Sequence, residues 1–206
     1  MPEVKKIAVV LLNWNGIAFL EQFLGTVVKY SAQAEIYLVD NCSDDNSAVY
    51  TRKHFPSVKV ITLHKNHGFA KGYNESLKNI SADYYILLNT DIEVTENWLS
   101  PMIALMETDK QIACCQPKVK SYHQKHMFEH AGAAGGFMDK YGYAFCRGRM
   151  FNTTEEDIGQ YDDQKELFWA TGASLCVRAD LFHKVGRFDE NFFAHMEEID
   201  LCWRLK

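Results

Sequence analysis

Residues 84–94 read YYILLNTDIEV. Tyr84 to Leu88 is a short, continuous apolar run rich in aromatic and branched side chains, the pattern of a strand buried on both faces. It turns polar at once, at Asn89-Thr90-Asp91. In an open α/β sheet, ligands bind beyond the carboxyl ends of such strands, so Asp91 is expected at the lip of a crevice. A carboxylate there suits a hard divalent cation, which takes oxygen ligands and grips phosphate oxygens in turn. Taken alone, the tripeptide is better explained as an Asx turn that closes a strand. The flanking sequence shifts that balance.

Upstream, Lys6 to Leu12 (KIAVVLL) is a second run of the same kind, broken by Asn13-Trp14-Asn15-Gly16. Ile17, Leu20, Phe23, Leu24, Val27 and Val28 recur at helical spacing and predict a helix over 17–30. Glu35 to Asp40 (EIYLVD) predicts the next strand, which again ends in a carboxylate. The polar loop 41–47 is dense in capping residues and leads into a helix that runs to Phe55. Pro56 stops it, and Val58 to Leu63 resumes as a strand. HKNHGFAKGYN, 64–74, then places Gly68 and Gly72 around the start of a helix predicted over Ala70 to Ile80. Small residues there let a ligand approach the backbone, and a helix N-terminus favours anions.

The order β-α-β-α-β-α-β predicts an α/β fold, a mostly parallel central sheet with helices on both faces. The strand ends carry Asn13, Asp40, Asn89 and Asp91, all at one edge. A single polar tip is a cap. Several tips and a glycine loop meeting at one edge make a site.

Downstream, a helix is predicted over 98–107, with Ser100-Pro101 as cap and first helical residue, and a fifth strand over Ile112 to Val119. From Ser121 to Asp163 the period is lost, and glycines among aromatics imply irregular or hairpin structure. His126 and His130 are four apart, but HMFEH lacks the H-E-x-x-H order and reads as a surface pair. Leu167 to Val177 is strand-like, broken by Thr171-Gly172, and a short helix runs from Arg178 to near Gly186. After a connecting loop at Phe188 to Phe193, the last segment sets Ile199, Cys202 and Trp203 on an apolar stripe and Glu197 with Asp200 on one face. Glu197 and Glu198 open this helix. Acidic residues are common there because of the helix dipole, yet a carboxylate facing the site also serves as general base toward a hydroxyl.

Composition excludes several classes. The 47% hydrophobic and 24% charged content is that of an ordinary globular protein, and a net charge of −5 gives a nucleic-acid partner no electrostatic support. Six cysteines without a C-x-x-C pair read as free, buried thiols, not as a disulfide framework or zinc site. No G-x-G-x-x-G or Walker loop follows the first strand, which argues against dinucleotide and P-loop chemistry. The first apolar run is too short for a signal peptide, and no segment reaches the length of a membrane helix.

The motifs VVLLNWNG (9–16), LVDNCSDD (38–45), NHGFAKGYN (66–74), LLNTDIEV (87–94), TGAS (171–174) and FDENFFAHMEEIDLCWR (188–204) together resemble a family 2 glycosyltransferase of the Rossmann-like GT-A fold, nearest its bacterial rhamnosyltransferase-like branch. The resemblance implies one domain over 1–206, with a nucleotide-sugar-binding half at 1–119 and an acceptor-side half at 120–206. The helical pattern still running at Lys206 reads as a chain cut before its end.

By position, the resemblance puts Asn13, Asp40 and Asn41 around the nucleoside and has Gly68, Ala70, Gly72 and Asn74 shape the nucleotide-sugar loop. Asn89-Thr90-Asp91 stands where the family carries D-x-D, with Asp91 binding Mg²⁺ or Mn²⁺ against the diphosphate. The first Asp of that motif is Asn89 here, which leaves fewer carboxylates on the metal. Glu197-Glu198 matches the family's Glu-Asp pair, with Glu198 as catalytic base and Glu197 next in line. His195 is read as structural. The implied activity is inverting transfer of a sugar from a UDP- or dTDP-sugar to a hydroxyl of a glycan or lipid-linked sugar, in bacterial cell-surface polysaccharide synthesis. The implied location is the cytoplasm, with the inner membrane face as an alternative, although no basic amphipathic helix argues for peripheral membrane association. Two rival readings are a nucleotide-binding module of the same fold without transfer activity, and a nucleotidyltransferase. The latter needs a basic, glycine-rich loop after the first strand, which Asn13 to Gly16 does not supply.

Overall fold

The computed structural model describes residues 5–206. The upstream apolar runs become β1 (Ile7–Asn13), β2 (Glu35–Asp40), β3 (Lys59–Thr62) and β4 (Tyr84–Leu88), separated by α1 (Ile17–Tyr30), α2 (Ser47–His54) and α3 (Gly68–Leu77). Then come α4 (Ser100–Thr108), β5 (Cys114–Cys115), β6 (Gly136–Met138), β7 (Ala144–Cys146), β8 (Arg149–Met150), β9 (Thr153–Thr154), β10 (Ser174–Arg178), α5 (Ala179–Lys184) and α6 (Glu197–Leu205). The main sheet runs β3-β2-β1-β4-β10-β5. β1 to β4 pair in parallel, and β10 lies antiparallel to both of its neighbours. β6 with β7 and β8 with β9 form two small hairpins in the segment without period.

Successive strand residues point to opposite faces, and this sorts the strands between two cores. Ala8, Val10, Tyr37, Val39, Tyr85, Leu87, Leu175 and Val177 pack with α3, α5 and α6 through Tyr73, Leu77, Phe182 and Leu201. Their neighbours Ile7, Val9, Leu11, Ile36, Leu38, Tyr84, Ile86 and Leu88 pack with α1 and α4 through Leu20, Leu24, Val27, Met102 and Met106. Burial on both faces explains why these strands read as continuous apolar runs.

From β1 the chain steps outward to β2 and β3, then returns to β4 on the other side of β1. Strand order therefore reverses between β1 and β4, and their carboxyl ends flank a crevice. β10 runs the opposite way, so its amino end reaches the same edge. Ser174 registers with Leu88, and Asn89 N–H donates to the Ala173 carbonyl at 3.0 Å.

Several expectations need correction: the last strand is Ser174–Arg178, not 167–177, α3 ends at Leu77, not Ile80, and Leu99, not Ser100, caps α4. The fifth strand shrinks to Cys114–Cys115. Beyond it Gln116 leaves the ladder, donating to the Gly132 carbonyl at 3.0 Å and accepting from Thr171 N–H at 2.8 Å. Pro117 has no N–H to offer a ladder, and Val119 pairs with the 129–133 loop instead. α3 begins at Gly68, not Ala70, because Gly68 at φ +72° can turn the chain into the helix. On α6, Trp203 is 59% exposed while Leu201 is fully buried. Trp203 leaves the stripe for an edge-to-face contact with Phe168. Asp200 parts from Glu197 in role as well. It pairs with Arg204, whose guanidinium donates to the Val185 and Arg187 carbonyls and pins the chain that leads into α6. All six cysteines are free, but only Cys115, Cys146, Cys176 and Cys202 are buried; Cys42 is exposed and Cys114 half-buried.

Candidate active site

Asn13 stands between Asp40 and Thr90 at the strand ends. Asn13 closes β1 in register with Asp40 at the end of β2, and both side chains are buried. Asn13 Nδ2 donates to Ser43 Oγ at 3.2 Å, which leaves Oδ1 with no partner. A Cβ on Gly16 would stand 2.4 Å from that oxygen and 3.5 Å from Thr90 Oγ1. Gly16 is thus the residue that lets these groups approach. Asp40 also keeps one oxygen, Oδ1, without a partner.

Asn41 organises the next part of the edge. Its amide donates to Asn66 Oδ1 at 3.0 Å and to the Gly68 carbonyl at 3.1 Å, and its oxygen accepts from His67 N–H at 2.9 Å. All three bonds hold the loop that opens α3. Because α3 follows a parallel strand, its N-terminus lies at the strand-end edge. Gly68 N–H is taken by Asn66 Oδ1 at 2.8 Å and Phe69 N–H by the Phe193 carbonyl, so what favours an anion there is the helix dipole. Gly72 packs against Leu12, and an added Cβ would come within 3.0 Å of it. Ala70 is fully buried, so it supports the loop from beneath.

Asn74 ties α3 to the segment ahead of α6. It donates to the Phe188 carbonyl at 2.9 Å and accepts from Phe188 N–H at 3.1 Å. The Phe193 carbonyl accepts from Phe69 N–H at 3.0 Å, and the Phe193 ring lies against Gly68. His195 and Met196 follow in left-handed backbone, at φ 71° and 72°. Such non-glycine conformations cost about 1–3 kcal/mol each and persist where surroundings impose them. Their effect is to turn the chain so that α6 starts with Glu197 and Glu198 facing inward.

Glu197 is 4% exposed. Burial pushes its carboxyl above the ordinary range, and the neighbouring Glu198 charge adds to the shift. Glu198 lies beside Gly172 and Phe69, where a Cβ on Gly172 would meet its carboxyl carbon at 3.9 Å. Burial pushes this carboxyl up as well, opposed by backbone N–H donors that include Gly172. Both glutamates keep Oε2 without a partner.

Among the described residues, the buried side-chain atoms without a hydrogen-bond partner are Asn13 Oδ1, Asp40 Oδ1, His67 Nδ1, Ser174 Oγ, Glu197 Oε2 and Glu198 Oε2. Each such group costs about 1–3 kcal/mol. All belong to strand ends, to the loop before α3, or to the start of α6. This unmet polarity is concentrated at one edge of the sheet, which makes that edge the candidate site.

Asp91 is exposed one residue past Thr90 and makes no hydrogen bond or ion pair with other described residues. No group of three or more His, Cys, Asp or Glu side chains gathers closely enough among the described residues to hold a metal alone. A single free carboxylate fits a hard ion that completes its shell from substrate phosphate and water. It does not fit a structural metal. His126 and His130 are exposed, and His130 contacts Arg149.

The sequence profile of the family described as "Glycosyl transferase family 2" matches residues 8–178. The chain belongs to that family. A similar curated protein is the N-acetylglucosaminyl-diphospho-decaprenol L-rhamnosyltransferase of Mycobacterium tuberculosis (strain CDC 1551 / Oshkosh), 21% identical, with 96% of this chain matched to 69% of the relative. The low-salt glycan biosynthesis hexosyltransferase Agl10 of Haloferax volcanii is 19% identical over 97% of this chain and 61% of its own length. Among solved structures, GalNAc-T7 with UDP, GalNAc and Mn²⁺ superposes at TM-score 0.72 and 18% identity, over 100% of this chain and 41% of that one. The mannosyltransferase PcManGT from Pyrobaculum calidifontis, in complex with GDP-Man and Mn²⁺, gives 0.67 and 11%, over 97% of this chain and 51% of its own. These neighbours share the GT-A fold expected from the motifs. This family 2 chain thus spans about half or less of the structures it matches.

Ser174, His67 and Phe69 also stand at this edge, beyond the residues the motifs single out. Ser174 closes TGAS, but nothing local shows that an antiparallel strand will carry its hydroxyl to this edge.

Proposed function

We propose that the chain is the catalytic part of an inverting glycosyltransferase, organised as one domain with a donor half at 1–119 and an acceptor half at 120–206. The observation that carries this reading is the set of unpartnered buried oxygens at one sheet edge, Glu198 Oε2 among them. Asn13, Asp40 and Asn41 line the nucleoside side of the crevice. Gly68, Ala70, Gly72 and Asn74 hold the N-terminus of α3 toward the diphosphate. Asn89, Thr90 and Asp91 close the crevice from β4, and Asp91 is the residue that would hold Mg²⁺ or Mn²⁺. Bound there, the cation neutralises charge on the leaving diphosphate.

Glu198 is the general base and Glu197 its buried neighbour. The acceptor oxygen forms a bond to the anomeric carbon as the bond from that carbon to the diphosphate oxygen breaks. Glu198 receives the hydroxyl proton, and the nucleoside diphosphate leaves with the bonding pair. Attack from the face opposite the leaving group inverts the centre through an oxocarbenium-like transition state. A carboxyl whose pKa is raised by burial is a stronger base than an exposed one and is suited to this task.

The donor is a UDP- or dTDP-sugar; the GalNAc-T7 structure carries UDP and the PcManGT structure GDP-Man, which supports a nucleoside diphosphate and leaves the base to the assay. The acceptor is a glycan or lipid-linked sugar, a reading supported by the diphospho-decaprenol in the mycobacterial relative's name. No helix among the described residues is long and apolar enough to cross a membrane.

The test is donor turnover, measured as nucleoside diphosphate release from UDP- and dTDP-sugars with Mn²⁺. Glu198→Gln is expected to lower turnover by about 10²–10⁴-fold, the contribution of a positioned base, without weakening UDP binding. Near-normal turnover removes Glu198 from the base role and moves it to Glu197.

A further inference from the structure

β5 carries two adjacent cysteines, and adjacent strand residues face opposite sides of the sheet. Cys115 points into the core shared with α1 and α4, where its register partner on β10 is Cys176. Cys114 points the other way, and its Sγ lies 3.9 Å from Cys202 Sγ on α6. The Ala170 N–H donates to Cys202 Sγ at 3.4 Å. Cys114 and Cys202 both line a cavity of about 900 Å³, walled by 111–118, 163–170 and the end of α6. Cys115 touches that wall, but Cys176 does not. The cavity lies at the β5 edge of the sheet, away from the crevice between β1 and β4. Both residues of one pair therefore border the cavity, Cys202 at 3% exposure and Cys114 half-buried, while half of the other pair is sealed from it.

We propose that Cys114 and Cys202 are a redox-active dithiol which a hydroperoxide, entering this cavity, oxidises to a disulfide that displaces Glu198. The polarity of the pair supports the order of events. The contact with Cys114, in which either sulfur can donate, lowers the Cys202 thiol below its ordinary value, helped by the Ala170 N–H that only Cys202 receives and opposed by burial. The same contact, together with burial, pushes Cys114 up. The Cys202 thiolate attacks a peroxide oxygen, the O–O bond breaks, and the alkoxide or hydroxide leaves and takes up a proton. This gives a sulfenic acid on Cys202. The Cys114 sulfur then attacks the Cys202 sulfur, the S–O bond breaks, and hydroxide leaves as water with the Cys114 proton. Two thiols and one hydroperoxide become one disulfide, one alcohol or water, and one water.

The geometry links this chemistry to the glutamates. Cys202 lies four residues after Glu198 on α6, so the two share a helix face. Closing the sulfurs from 3.9 Å to a bond of about 2 Å draws α6 toward β5 and carries Glu198 with it. This effect on turnover rests on the glycosyl-transfer reading; the disulfide itself does not.

The experiment treats the folded chain with hydrogen peroxide, blocks remaining thiols with N-ethylmaleimide under denaturation, and maps crosslinked peptides by mass spectrometry. Donor turnover is measured in parallel. The expected product is a Cys114–Cys202 crosslink that dithiothreitol reverses and that Cys176→Ser retains. Cys114→Ser should instead accumulate a dimedone-reactive sulfenic acid at Cys202. Turnover should fall roughly tenfold or more on oxidation, the scale of an ångström-sized misplacement, and return on reduction. Absence of the crosslink, or a Cys115–Cys176 product forming as readily, overturns the dithiol. A crosslink with unchanged turnover overturns the coupling to Glu198. A chain inactive even when reduced counts against the glycosyl-transfer reading and leaves the crosslink result decisive for the dithiol.

Discussion

Glu197 and Glu198 are neighbours in sequence with different surroundings. Glu197 is nearly sealed, and its charge reaches the hydroxyl of buried Tyr73, which is pushed upward chiefly by its own burial. Glu198 is half-buried at Gly172 and Phe69. Burial raises both carboxyls, so the folded chain holds these protons more tightly than the unfolded one. The sign follows directly. Below the ordinary carboxylate value of about 4.3 both states are protonated and nothing is lost; as pH rises through the raised values, each group destabilises the fold. Glu197→Gln removes that cost while keeping the shape and one acceptor oxygen. The variant should melt a few degrees higher than the parent at pH 8, with the gap closing as the buffer approaches pH 4. Thermal unfolding across that range checks it, and a gap that widens toward low pH contradicts the assignment of burial as the cause. The same residues show how much chemistry was legible early. The pair was visible as acids at a helix start, which the helix dipole alone would explain. Their burial depends on the left-handed turn at His195 and Met196, and no local pattern announces it.

At the scale of elements, α3 and the segment before α6 behave as one unit because Asn74 joins them. Its amide replaces backbone partners for both polar groups of Phe188 in a fully buried setting. Asn74→Ala would orphan that N–H and that carbonyl at about 1–3 kcal/mol each. The expected result is a fall in denaturant midpoint together with weaker nucleotide binding, since Phe193 and the α3 start lose their common anchor. A midpoint within error of the parent would mean the two elements are held elsewhere. Elements of this kind also divide what periodicity can read from what it cannot. α1 over 17–30 and β2 over 35–40 fall where the spacing puts them, because their apolar faces are set by residues three, four or two apart. β5 shrank because Gln116 bonds to Gly132 and Thr171, partners 16 and 55 residues away. The edge position of Ser174 escaped notice for the same reason, as it depends on β10 inserting antiparallel beside β4.

For the molecule as a whole, the charge at the strand-end edge poses a problem for an anionic donor. Asp40, Asp91, Glu197 and Glu198 all belong to that edge, on a chain of net charge −5. Unit charges about 4 Å apart near a protein surface interact by roughly 4 kcal/mol, so a diphosphate entering among carboxylates is repelled unless something positive accompanies it. The N-terminus of α3 supplies only a partial charge. On the proposed reading the remainder falls to a divalent cation held by Asp91, which is exposed and has no hydrogen-bond or ion-pair partner among the described residues. Calorimetric titration of UDP into the chain should therefore give affinity at least tenfold higher with Mn²⁺ than with EDTA, a difference of about 1.4 kcal/mol. Asp91→Asn should remove most of that difference while leaving thermal stability near the parent's, because the side chain contacts nothing that holds the fold. Glu198→Gln should keep the metal effect, which separates the cation's carboxylate from the base. Equal UDP affinity with and without the metal would mean the helix terminus alone balances the diphosphate, and Asp91 would revert to the strand-closing turn its tripeptide first resembles.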